Sequence, residues 1–85
     1  MSTQKLSNIG IAEWRRFLAY IGCVESDGGN DGHEKWWKDG CERPVIYQTH
    51  IEPIPEFIIK NNLRTLGITK KVFFDWQKAS HKKMK

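Results

Sequence analysis

Apolar residues recur every three or four positions near the start of the chain, which is the spacing of one face of an α-helix. Charged residues lie mostly off this face, and Gly22 follows where a helix C-cap belongs. The pattern predicts an amphipathic helix over residues 11–21. Its apolar stripe consists of Ile11, Trp14, Phe17, Leu18 and Ile21.

Three short strands are predicted in the middle of the chain, over residues 23–26, 33–38 and 43–49. The first two are separated by residues 27–32, which read DGGNDG. This composition predicts a loop that can bring its backbone close to a ligand. The strands are expected to form an antiparallel meander.

The connection between the second and third strands also has a clear signal. Asp39 and Gly40 are typical of a hairpin turn. Pro44, near the start of the third strand, favours the edge of a sheet or the beginning of a strand.

Two further helices are expected after the strands. Pro55 suits the first turn of a helix that ends at Gly67. Thr69 can cap the last helix, which passes into a basic tail after Ala79. The apolar stripe of the second helix is Ile58, Ile59, Leu63 and Leu66, and that of the last helix is Val72, Phe73 and Trp76.

The predicted order is α-β-β-β-α-α, an α+β fold in a single domain over residues 1–85. The amphipathic helices can cover only one face of the antiparallel sheet, so the other face is left open to solvent or a partner. We expect functional residues on that face. The core is expected to include Trp14, Phe17, Phe73 and Trp76.

The composition is that of an ordinary folded domain, with 39% apolar and 28% charged residues. No apolar run approaches the roughly 20 residues that cross a membrane, and the first residues do not resemble a secretory signal. These features favour a cytoplasmic protein. Cys23 and Cys41 are interpreted as reduced, because secreted domains of this size usually carry several disulfides.

Positive charge is concentrated at the end of the chain. The net charge is +4, yet residues 70–85 hold six lysines against Asp75, so that this stretch carries +5 and the rest sums to −1. A basic tail, from about residue 78, can attract a nucleic acid. The alternative is an ordinary solvated terminus.

Three segments in order resemble the HicA family of toxins: GHEKW at residues 32–36, RPVIY at residues 43–47 and FIIKNNLRTLGI at residues 57–68. The resemblance implies a fold like that of double-stranded-RNA-binding domains, an α+β architecture. It also implies a metal-independent ribonuclease that acts on messenger RNA, needs no cofactor, and is inhibited by a HicB-type antitoxin protein. The sequence departs from the usual Gly-Ser-His motif, with Asp31 and Gly32 before the histidine, and it has Thr49-His50 instead of a Pro-x-His ending.

The resemblance assigns the catalytic role to His33. Histidine exchanges a proton near neutral pH, so it can help to deprotonate a ribose 2′-hydroxyl, a group that DNA lacks. From its position alone, His33 is better interpreted as an ordinary surface histidine, and the resemblance reverses this interpretation.

The candidate RNA-binding residues are Gly32, Lys35, Trp37 and Arg64. Alternation along the strand places Lys35 and Trp37 on the face of His33 and Trp36 on the other face. Lys35 can hold a phosphate or be a solvated lysine, and an exposed tryptophan can stack on a base or contact the antitoxin. Arg64 can bind phosphate or pair with an acid such as Glu52 or Glu56.

A zinc site made of Cys23, His33, Cys41 and His50 is not favoured, because structural zinc usually uses closely spaced ligand pairs. Two rival functions remain open. One is a non-catalytic RNA-binding module, which the basic tail and the open sheet face favour, and the other is a protein-interaction domain of the same fold.

Overall fold

The computed structural model describes residues 6–26 and 32–83, with side chains as far as residue 80. The predicted loop over residues 27–32 lies outside the described residues, apart from Gly32. The predicted order of elements is confirmed. The elements are α1 (Ile11–Tyr20), β1 (Val24–Glu25), β2 (His33–Trp37), β3 (Val45–Gln48), α2 (Glu56–Leu66) and α3 (Lys70–Lys83).

The three strands form one antiparallel sheet in the order β1-β2-β3. Because β2 lies in the middle, β3 is an edge strand, and Pro44 immediately precedes it as expected for a residue that cannot donate a ladder hydrogen bond. Between β2 and β3, His33 pairs with Gln48 and Lys35 with Ile46. This register fixes which side chains share a face.

The hydrophobic core lies between one face of the sheet and the helices. The sheet contributes Trp36, Val45 and Tyr47, which are buried together with residues of all three helices. In the helical layer, the ring of Phe17 lies 5.4 Å from that of Trp14 and 5.0 Å from that of Phe73, between ring centroids. Aromatic pairs at such spacings pack favourably and bury large areas.

Trp14, Phe17 and Phe73 are fully buried, as predicted, and Trp76 packs at the edge of the core. The cysteines are free thiols, with Cys23 buried and Cys41 partly buried. No helix among the described residues combines the length and apolar character that a membrane span requires.

Helix α3 differs from the prediction in two respects. Its buried face uses Phe74 as well as Phe73, whereas Val72 is 41% exposed. Phe73 and Trp76 pack on Phe17 of α1 as the stripe predicted, and Phe74 packs on Phe73 in the place expected for Val72. The helix also continues to Lys83 and does not end after Ala79, so the first part of the basic tail is helical.

Candidate functional site

The sheet face opposite the helices is exposed and carries three of the candidate residues. Side chains alternate along β2, and Trp36 is 8% exposed while Trp37 is 43% exposed. Trp37 therefore points away from the core, and His33 and Lys35 share its face. We call this surface the open face; it consists of Val24, His33, Lys35, Trp37, Ile46 and Gln48.

Chemical character changes along the open face. His33 and Lys35 lie in the first half of β2, opposite Gln48 and Ile46 of β3. Trp37 is paired with Val24 of β1, which is 69% exposed. One end of the face thus offers an imidazole and an amine, and the other end offers an exposed apolar surface.

His33 is the first residue of β2 and is half-buried. Lys35 follows two residues later, so the Cα atoms of the two residues are about 7 Å apart along the strand. A phosphate group bound over this part of the sheet can contact both side chains, because the lysine stem is long and flexible.

Gly32 holds the beginning of β2 in place. Its carbonyl oxygen accepts two hydrogen bonds from Thr49, one from the backbone N–H at 2.7 Å and one from Oγ1 at 3.1 Å. These bonds tie the end of the glycine-rich segment to the residue that follows β3. The backbone that leads into His33 is therefore held to the end of β3.

His50 contacts the same glycine. A Cβ atom on Gly32 would lie 2.8 Å from Nδ1 of His50, so a larger residue there would displace the His50 ring. Gly32 also has a φ of +75°, a conformation that glycine adopts without strain. The sequence suggests His50 only as a zinc ligand and as part of the Thr49-His50 stretch. The signal that would have linked His50 to His33 is the pairing of Gly32, just before β2, with Thr49, just after β3.

The covered face of β2 contains a polar network next to His33. Glu34 accepts hydrogen bonds from both Nε and Nη2 of Arg15 on α1, the former at 3.1 Å, and from the hydroxyl group of Tyr47 on β3. Trp36 Nε1 donates to the Tyr47 oxygen at 3.0 Å. The network joins α1, β2 and β3 directly beneath the open face.

The ionisation of this network follows from its hydrogen bonds. The bonds from Arg15 favour the charged carboxylate and hold the pKa of Glu34 below its ordinary value, although desolvation acts in the opposite direction. Burial, together with the neighbouring Glu34 carboxylate, raises the pKa of Tyr47. Near neutral pH the network therefore consists of a carboxylate, a guanidinium and a neutral phenol.

Arg64 lies at the other end of the sheet. It is exposed on α2 and borders an open groove of about 520 Å³ together with Arg43 and Gly40 of the β2–β3 connection. Since β2 runs from His33 towards that connection, the two sites are separated by at least the strand's length, about 13 Å. The structure brings Gly32, Lys35 and Trp37 together with His33, but not Arg64.

Arg64 is also not part of the ion pairs that the sequence suggested. Glu52 accepts a hydrogen bond from the backbone N–H of Ile11 at 2.9 Å. Within residues 6–26 and 32–80, Arg15 pairs with Glu34 and Lys71 pairs with Asp75, and Arg64 takes part in neither pair.

No cluster of three or more histidine, cysteine, aspartate or glutamate side chains suited to a metal ion occurs in the part of the chain that the structure describes. Comparisons with protein-family models, with curated proteins and with solved structures find no match to this chain.

Proposed function

We propose that this protein is a HicA-type toxin of a bacterial type II toxin–antitoxin system, a ribonuclease that cleaves messenger RNA in the cytoplasm without a metal ion. One observation carries the proposal: His33, Lys35 and the exposed Trp37 share the open face of the sheet. An imidazole, an amine and an exposed aromatic ring are the groups needed to move a proton, bind a phosphate and stack on a base.

In the proposed reaction, His33 removes the proton from a ribose 2′-hydroxyl, whose oxygen then attacks the adjacent phosphorus. Lys35 offsets the negative charge that develops on the phosphate oxygens. Trp37 stacks on a neighbouring base and keeps the RNA strand along β2. DNA resists cleavage because it lacks the attacking hydroxyl.

Gly32 and Arg64 have different roles in this proposal. Gly32 keeps the backbone before His33 compact and leaves room for a neighbouring imidazole. Arg64, about 13 Å or more away along the sheet, binds a separate phosphate of the same strand together with Arg43.

The inhibitor is proposed to be a HicB-type antitoxin that covers the open face. The exposed apolar residues of that face support this part of the proposal, since Val24 lies beside Trp37 and Ile46 lies opposite Lys35. Interfaces are enriched in aromatic residues at their centre, and a protein bound there would block access of RNA to His33.

A second candidate is a non-catalytic RNA-binding module that uses the same face. Lys35 and the exposed Trp37 favour it, because phosphate binding and base stacking do not need His33. It predicts salt-sensitive binding of RNA that remains intact.

Growth and RNA integrity separate these functions. Expression of the wild-type chain is expected to arrest bacterial growth and fragment messenger RNA, whereas His33→Ala permits growth and leaves RNA intact. As a matched control, His81→Ala removes a histidine from α3 and is expected to remain toxic. A toxic His33→Ala variant, or a wild-type chain that binds RNA and leaves it whole, would contradict the ribonuclease proposal.

A further inference from the structure

A second imidazole lies next to the residue that precedes β2. His50 is exposed, and its Nδ1 lies 2.8 Å from the point where a Cβ of Gly32 would be. Gly32 is bonded to His33, and consecutive Cα atoms are about 3.8 Å apart. The Nδ1 atom of His50 therefore lies no more than about 8 Å from the Cα atom of His33.

The backbone around His50 is held at two points. Thr49 donates two hydrogen bonds to the carbonyl of Gly32, and the Glu52 carboxylate accepts one from the backbone N–H of Ile11. The Ile54 N–H also donates to the carbonyl of Ile9, at 2.9 Å. The segment after β3 is thus tied both to the beginning of β2 and to the residues around the start of α1, which fixes the backbone that carries His50 beside Gly32.

We propose that His50 is the catalytic acid that completes the reaction of His33. The inference rests on the proposed ribonuclease function and supplies the group that protonates the leaving oxygen. Cleavage of RNA by its own 2′-hydroxyl needs a base at the attacking oxygen and an acid at the departing one, and two histidines at one end of a sheet can supply both.

Atoms and protons balance in this reaction. Neutral His33 accepts the proton of the 2′-hydroxyl while the bond between this oxygen and phosphorus forms. The bond between phosphorus and the 5′-oxygen of the next nucleotide breaks, and protonated His50 donates its proton to that oxygen. The products are a 2′,3′-cyclic phosphate and a free 5′-hydroxyl, with His33 protonated and His50 neutral. Proton exchange with water restores both imidazoles.

The test compares two leaving groups in one RNA oligonucleotide. After the wild-type cleavage site is mapped, the 5′-oxygen at that site is replaced by sulfur, which departs as a thiolate without needing a proton. His50→Gln is expected to cleave the normal RNA about 10²- to 10⁴-fold more slowly than wild type but to cleave the sulfur-containing RNA at most of the wild-type rate. His33→Gln is expected to lose activity on both substrates.

Controls distinguish failure of this proposal from a folding defect and from failure of the proposed ribonuclease function. His81→Gln should cleave both substrates like wild type, and circular dichroism should show that all variants are folded. If wild type cleaves RNA and His50→Gln is either unaffected or impaired equally on both substrates, the role of His50 is overturned. The ribonuclease proposal then stands. A folded wild-type protein that cleaves neither substrate overturns the ribonuclease proposal and, with it, the role of His50.

Discussion

Two features of the structure favour glycine at position 32. Its φ of +75° lies in the left-handed region, and the imidazole of His50 occupies the space where a side chain would begin. We infer that Gly32 and His50 act as a matched pair.

Substitution of Gly32 tests this pairing. Gly32→Ala is expected to cost about 1–2 kcal/mol of stability from its backbone conformation and to cost more because the new Cβ displaces His50. Gly67→Ala is the control, since Gly67 has a φ of +69° but a Cβ atom added to it would meet nothing within 4 Å. Urea unfolding should show the larger loss for Gly32→Ala, and RNA cleavage should fall for this variant alone. Equal losses of stability would show that the contact with His50 has no energetic consequence.

The residues of the open face were accessible to sequence reasoning because strand alternation is a local property. It placed His33, Lys35 and Trp37 on one face and Trp36 on the other, as the structure has them. The position of His50 was not accessible in this way. Its contact with Gly32 depends on how β3 ends beside the beginning of β2, which is a long-range relation across 18 positions of the chain.

At the scale of elements, β2 has two different faces. The open face carries His33 and Lys35, and the covered face carries Glu34, which joins α1 to β3 through Arg15 and Tyr47. Since these residues alternate along one strand, the network below restrains the backbone that presents the candidate site above. Loss of the network should therefore weaken the fold and loosen the position of His33.

The stability of this network should depend on pH. The pKa of Glu34 is below its ordinary value of 4.5, mainly because Arg15 donates hydrogen bonds to it. A lowered pKa in the folded state means that the stabilisation is present above the ordinary value and is lost as pH falls through the folded value. Glu34→Gln is expected to cost about 1–3 kcal/mol near pH 7 and much less in strong acid.

Urea unfolding of both proteins at neutral and at acid pH measures this difference. Asp75→Asn is a suitable control because it removes the exposed ion pair with Lys71, which is expected to change stability little at either pH. A cost of Glu34→Gln that stays the same from neutral to acid pH would mean that the charge of Glu34 does not stabilise the fold.

The elements themselves were largely predictable from the spacing of their apolar residues and from the glycines and prolines near their ends. α1, β2, β3 and α2 lie within a few residues of their predicted bounds, because each has a clear apolar pattern and a glycine or proline near its end. The buried face of α3 was predicted in part: Phe73 and Trp76 pack as expected, but Phe74 is buried and Val72 is exposed. Phe74 packs on Phe73, a tertiary arrangement of the helix that the local sequence does not contain.

At the scale of the whole molecule, the helices lie on one side of the sheet and the candidate site lies on the other. The core therefore forms without the residues of the open face, and an exposed tryptophan there does not weaken it. The net charge of +4 favours approach of a polyanion. Binding should accordingly weaken as salt concentration rises.

The salt dependence of RNA binding can identify the contribution of Lys35. Measured with His33→Ala as the background, so that RNA stays intact, log K should fall linearly with log salt concentration. Removing one phosphate contact with Lys35→Ala should make the slope shallower by about 0.7. Lys71→Ala, on α3 and away from the open face, should leave the slope unchanged. Similar slopes for the background and Lys35→Ala would exclude Lys35 from phosphate binding.

Catalysis of RNA cleavage by His33 from the open face is the central claim. Its most direct test is the single-turnover rate of cleavage of one single-stranded RNA, with EDTA present, by purified wild type and His33→Ala. We predict a loss of about 10²- to 10⁴-fold in His33→Ala, with unchanged folding and no cleavage of the matching DNA. Equal rates for the two proteins would contradict the claim.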